Sequence, residues 1–151
     1  MANTHATSIE AATRNAVEAG VADRVTFTVA GATDYRGRYE LVCFFDCLHD
    51  LGDPVAAARH VAEALAPGGT LMVVEPFAND HVENNISPVA RIYYAASTVL
   101  CVAHAISEGG QLVPGAQAGE ARLTEVFRKG GFTHVRRAAE TPFNLILEVR
   151  R

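Results

Sequence analysis

The sequence predicts an α/β protein on a largely parallel sheet. Three observations carry this expectation. Helical and strand patterns alternate along the chain. Two apolar runs, residues 41–45 and 71–74, stop abruptly at acids, Asp46 and Glu75. The last two strand patterns are separated only by a short loop around Thr141-Pro142, which permits an antiparallel pair. Buried strands that deliver polar groups to their carboxyl ends are where open α/β sheets keep their ligands.

Taken in order, Thr7-Ser8-Ile9-Glu10 reads as a capping box opening a helix. Ile9, Ala12, Ala16 and Val17 form its apolar stripe, and Gly20 supplies a left-handed stop. Residues 24–29 are β-branched and aromatic and read as a strand. The next strand covers residues 39–45. Its consecutive Phe44 and Phe45 imply that both faces are covered. Asp53 can cap the following helix, with Pro54 at its first position. Pro67-Gly68-Gly69 breaks that helix before a strand over residues 70–75. Pro88 starts a long helical pattern, residues 108–118 are Gly-rich, and residues 119–129 form a helix stopped by Gly130-Gly131. Strands over residues 132–138 and 144–150 close the chain. The whole reads as a single domain, 1–151, with an insertion over residues 80–118.

Composition narrows the function. The 151 residues carry a formal net charge of −4, which argues against broad binding to nucleic acid. The three cysteines, Cys43, Cys47 and Cys101, do not make a disulfide framework, so a reducing cytoplasmic location is expected. Cys43 and Cys47 lack the second pair a structural zinc site needs. His49, Asp46 and Asp50 could ligate a metal, but no spacing supplies further ligands, and no metal is expected. The most apolar stretch, residues 92–103, falls short of the ~20 residues of a membrane span, so no membrane partner is expected.

Four stretches together resemble the class I S-adenosylmethionine-dependent methyltransferases, in particular the bacterial small-molecule type. They are His5-Ala6-Thr7-Ser8-Ile9-Glu10-Ala11-Ala12, Val29-Ala30-Gly31-Ala32, Phe44-Phe45-Asp46-Cys47-Leu48-His49-Asp50, and Leu65-Ala66-Pro67-Gly68-Gly69-Thr70-Leu71. They look like the end of the second strand with its helix, the end of the third strand, the fourth strand with its loop, and the junction before the fifth. The likeness implies an incomplete Rossmann-like sheet, the C-terminal part of an order 3-2-1-4-5-7-6. The family's glycine-rich loop on the first strand is missing from the sequence. Asn3 stands where the family has its ribose-binding acid, and Gly31 where it often has an Asp for adenine.

The resemblance implies S-adenosylmethionine as cofactor, held by Asn3, Gly31, Ala32, Asp46 and Cys47. Its reaction is methyl transfer to a small molecule. His49 is the candidate general base, because its ordinary pKa lies near neutrality. Glu75 is a second catalytic candidate, able to bind or deprotonate a substrate group, and Asp50 could orient His49. Arg91 and Tyr94, on the inserted helix, are the candidate substrate contacts. With the early strands absent, the inner edge of the fourth strand lies open and invites pairing. A missing N-terminal segment, a homo-oligomer, or a third strand that moves over to pair with the fourth would each close it. The alternative function is a non-catalytic remnant or dimerisation module. A dinucleotide-binding oxidoreductase would need a G-x-G-x-x-G at a strand–helix junction, which the sequence does not have.

Overall fold

The structure is a computed structural model that describes residues 1–110 and 112–151. The chain divides into two compact units, Met1–Gly37 and Arg38–Arg151.

In the first unit, strand β1 (Ala2–Asn3) pairs in parallel with β2 (Thr28–Val29). The strand expected over residues 24–29 is thus only two residues long. Between them lies helix α1 (Ala6–Glu18). The expected capping box does not form. The helix starts two residues earlier, with His5 at its N-cap and no side-chain cap. Asn3 Oδ1 instead accepts the His5 N–H at 2.8 Å. Ile9 and Ala16 are buried, but Val17 is exposed, so the apolar stripe is narrower than the pattern suggested. The C-terminus closes as expected: Gly20, at φ 65°, lets Val21 N–H reach Ala16 O and Gly20 N–H reach Val17 O. These paired bonds satisfy the last carbonyls of the helix.

The second unit is a four-stranded sheet in the order β3-β4-β6-β5. Its strands are β3 (Tyr39–Phe45), β4 (Leu65–Pro76), β5 (His134–Glu140) and β6 (Asn144–Arg150). β3 and β4 are parallel, whereas β6 runs antiparallel to both β4 and β5. This is the 4-5-7-6 block that the resemblance implied. β2 does not cross over to β3; the two lie in separate sheets.

Helix α2 (Pro54–Ala64) begins as the sequence reads, with Asp53 Oδ1 accepting the Ala56 N–H at 2.8 Å. Pro67-Gly68-Gly69 does not precede β4 but lies within it, as a bulge opposite the Tyr39/Leu41 step. Gly69 is required there, since a Cβ would sit 2.9 Å from Ala66 O and 3.1 Å from Tyr39 O. Helix α5 (Gly119–Lys129) packs on α2 and ends at Gly130, whose missing Cβ would come within 2.5 Å of Ala58 Cβ.

One face of the sheet is sealed. Leu71, Val73 and Glu75 of β4 stand opposite Val149, Leu147 and Leu145 of β6, and all six are buried. Phe44 pairs with Val73 in the parallel ladder and is buried with them. On the other face, Met72, Val74 and Ile146 are half-buried, and Phe45 is 62% exposed. The expectation that Phe44 and Phe45 are both covered therefore fails for Phe45. Consecutive apolar residues point to opposite faces, and only the face of Phe44 carries a full layer.

The insertion is one helical run from Pro88 to Ser107. It comprises α3 (Pro88–Ala96), a π turn (Ser97–Cys101) and α4 (Val102–Ser107). Ser87 caps it by accepting the Ala90 N–H at 3.1 Å. By length and composition this run could cross a membrane. The expectation that the segment was too short counted its apolar centre and not the whole helix. The run is tied into the unit by Ser97 Oγ, which accepts the Ala116 N–H at 2.9 Å, and by Tyr93, whose hydroxyl donates to Phe143 O at 3.1 Å. The Gly-rich stretch 108–118 includes Gln111, which lies outside the described residues; Gly115 and Ala116 are buried.

Candidate active site

The site grows from the carboxyl ends of β3 and β4. The β3 ladder continues one residue past the strand, with Asp46 N–H donating to Val74 O at 2.7 Å. Asp46 then takes φ 54°. Asp tolerates this left-handed conformation better than most residues. The corner leads through Cys47 into a single 3₁₀ turn, Leu48–Asp50, in which Leu48 and His49 are buried.

Glu75 reaches that turn from β4. Its Oε1 accepts the Leu48 N–H at 2.9 Å, and its Oε2 lies 2.5 Å from His49 Nδ1. Both side chains are almost sealed, His49 at 4% and Glu75 at 2% exposure. The ionised carboxylate has only acceptors, so Nδ1 carries the proton and donates it. Nε2 then presents its lone pair toward Asp50 Oδ1, 3.3 Å away. That oxygen is buried and makes no hydrogen bond of good geometry among the described residues.

Burial opposes charge on the imidazole. The hydrogen bond and charge of Glu75, then the charges of Asp50 and Asp46, outweigh it, so the His49 pKa lies above its ordinary value. The neighbouring thiols shift the same way. Burial, then the Glu75 charge, pushes Cys47 up to about 11. Burial, then a hydrogen bond to Asp50, pushes Cys101 up to about 11.

Of the residues singled out in the sequence, His49, Glu75, Asp46 and Cys47 come together here. Both Glu75 oxygens are engaged, Oε1 by Leu48 N–H and Oε2 by His49. Asp50 faces the other nitrogen from the one that orients the ring. Arg91 and Tyr94 are exposed on α3, and no hydrogen bond joins either to His49 or Glu75 among the described residues. Asn3, Gly31 and Ala32 belong to the first unit. Cys101 was not singled out as a site residue. It lies on the π turn between α3 and α4, and no local motif marks it.

The fit to S-adenosylmethionine differs between the units. The Asp46–Cys47 corner, with Asp46 exposed past the strand end, suits one wall of a cofactor cleft. In the first unit the expected contacts are engaged locally. Asn3 Oδ1 holds His5 N–H, and Gly31 N–H donates to Asp34 Oδ1 at 2.5 Å.

A mixed sheet in this order, with a His–carboxylate pair at its carboxyl end, defines the class as methyltransferase-like α/β. The methyltransferase domain family matches residues 2–111, and the chain belongs to that family. No curated protein matches the sequence. Solved structures with the same fold include an assigned O-methyltransferase from Nostoc punctiforme, at TM-score 0.73 and 23% identity over 97% of this chain and 42% of that one. The mitomycin 7-O-methyltransferase aligns at TM-score 0.72 and 18% identity, over 97% of this chain and 40% of its own. An O-methyltransferase from neocarzinostatin biosynthesis was solved with S-adenosyl-L-homocysteine and 1,4-dihydroxy-2-naphthoic acid. It aligns at TM-score 0.68 and 23% identity, over 94% of this chain and 38% of its own. The chain thus spans about two fifths of the length of these neighbours.

Proposed function

We propose that the chain takes part in S-adenosylmethionine-dependent methyl transfer to a small hydroxylated molecule, with its site completed by a further segment or a second copy. The observation that carries this reading is the buried Glu75–His49 pair at the end of β4. The cofactor, when bound, supplies an electrophilic methyl group. His49 takes the proton from the acceptor hydroxyl at Nε2. Glu75 holds the ring through Nδ1 and stabilises the imidazolium that forms. Such transfer depends chiefly on alignment, with base help added. The exposed Arg91 and Tyr94 are proposed to meet the substrate. A cytoplasmic location and a single partial domain with a lid-like insertion go with this reading.

The second reading is a non-catalytic remnant. It is favoured by the local engagement of Asn3 and Gly31. Calorimetry with S-adenosylmethionine and a transfer assay with 1,4-dihydroxy-2-naphthoic acid separate the two. Binding, with transfer that falls about 10²-fold or more in His49→Ala, supports the first. No binding heat at millimolar cofactor supports the remnant.

A further inference from the structure

We infer that Cys101 is a positioning residue for His49: its thiol restrains the Asp50 carboxylate, so that Asp50 does not close on Nε2 and that nitrogen stays free to take the acceptor's proton. The inference rests on the reading of His49 as the base, and it deepens that reading.

His49 has a carboxylate at each ring nitrogen, but the two are held differently. Glu75 closes on Nδ1 at 2.5 Å, whereas Asp50 Oδ1 stands off Nε2 at 3.3 Å. A charge-assisted N–H···O pair closes to about 2.7–2.9 Å when nothing prevents it. The Asp50 side chain is 37% exposed, so its own turn does not wedge it in place. Its restraint comes from the insertion. The Cys101 thiol is hydrogen-bonded to the Asp50 carboxylate, and the reactive atoms of His49, Asp50 and Cys101 all lie within 4.8 Å of one another. An ionised carboxylate has only acceptors, so the thiol donates. Burial, then this hydrogen bond, pushes the thiol up to about 11, and it keeps its proton wherever the imidazole titrates.

The thiol is itself held in place. Cys101 ends the π turn Ser97–Cys101, an irregularity that recurs at functional sites. Buried Ser97 pins the start of that turn by accepting the Ala116 N–H at 2.9 Å. Beyond α4, the insertion docks on the loop after the catalytic turn. Gly52 N–H donates to Glu108 Oε2 at 3.3 Å, and a Cβ on Gly110 would lie 3.1 Å from Gly52 O. The element that carries Arg91 and Tyr94 therefore also governs the base.

The thiol and the imidazolium compete for one carboxylate. Without the thiol, Asp50 pairs more tightly with protonated His49, and a base that already holds a proton cannot take one. The titratable groups facing the imidazole are Glu75 from β4, Asp46, Cys47 and Asp50 from the corner and its turn, and Cys101 from the insertion. His104 and Glu108 pair with each other at 3.4 Å.

Nuclear magnetic resonance titration of the imidazole C–H groups tests this on the full chain without turnover. The His49 signal is identified by its loss in His49→Gln. Cys101→Ala is expected to raise the His49 pKa by about half a pH unit, a roughly threefold change in its protonation equilibrium. Cys101→Ser, which keeps a donor, should stay near wild type. Asp50→Asn should lower the pKa, and adding Cys101→Ala to it should change nothing further. Circular dichroism checks that each variant is folded. In the transfer assay with 1,4-dihydroxy-2-naphthoic acid, the acidic limb of Cys101→Ala should move up with the pKa, and raising the pH should restore kcat. The inference is overturned if Cys101→Ala leaves the His49 pKa unmoved or lowers it, or if the rise persists in the Asp50→Asn background. Transfer with an unmoved pKa sinks the inference and leaves the methyl-transfer reading standing. The expected titration without transfer does the reverse: it upholds the restraint on Asp50 and sinks that reading.

Discussion

His49 sits between two carboxylates, and its pH behaviour follows. In its proposed role as base it must be neutral, so turnover is expected to rise with pH through a value above the free imidazole's ordinary ~6.5. Stability has the opposite sign. The Glu75 interaction contributes fully below about pH 6.5 and fades as pH rises through the raised folded value. Glu75→Gln keeps the shape but removes the charge. It should move the acidic limb of the kcat profile to lower pH and cut kcat by an order of magnitude or more. A kcat–pH profile of the two proteins checks this; an unmoved limb would show that Glu75 does not set the His49 pKa. His49 and Glu75 were both legible in the sequence, because each follows an apolar run. Their pairing was not. It depends on β3 and β4 lying side by side in parallel, which brings residues 26 apart in sequence to one point.

At the scale of elements, helix ends separate what local sequence decides from what the fold decides. Asp53-Pro54 caps α2 as read, since donor and acceptor lie three residues apart. The N-terminus of α5 has no local cap. Its acceptor is Asp80 Oδ1, which takes the Ala121 N–H at 2.7 Å from across the insertion. Asp80→Ala should cost about 1 kcal/mol, the usual value of a lost cap, measured as a lower urea midpoint with an unchanged slope. Gly130→Ala should cost more, about 1–3 kcal/mol, because its methyl collides with Ala58. Restoring the space with Ala58→Gly should recover part of that loss, measured in the same denaturation series. If the double variant is no more stable than Gly130→Ala alone, the Cβ contact is not the cause. The Thr7 capping box failed for a local reason. Asn3 at the end of β1 takes the His5 N–H, and the helix starts two residues early, with His5 at its N-cap.

For the molecule as a whole, the block β3-β4-β6-β5 was legible because apolar runs, terminal acids and one short loop define it. The shortness of β2 was not, since residues 24–27 have strand composition but, among the described residues, the ladder with β1 covers only Thr28 and Val29. β3 remains an edge strand of its sheet, with Leu41 55% and Phe45 62% exposed. Such an edge is a template for another chain. Sedimentation velocity up to about 0.1 mM, within the range where open edges associate, should reveal concentration-dependent self-association. Leu41→Lys should weaken it, as charge does on natural edges. A concentration-independent monomer would mean that this edge does not pair.

The antiparallel seam between β4 and β6 has a consequence for biogenesis. β4 lies between β3 and β6, so it needs a partner on each flank, and β6 follows every other described element along the chain. At about 5–20 residues per second, a ribosome takes on the order of ten seconds to pass from the end of β4 to β6. Throughout that interval Leu71 and Val73 have no Val149 or Leu147 beside them. The nascent protein therefore carries a sticky, half-made sheet until β6 emerges, and in the cell this interval is where holdase chaperones would find it.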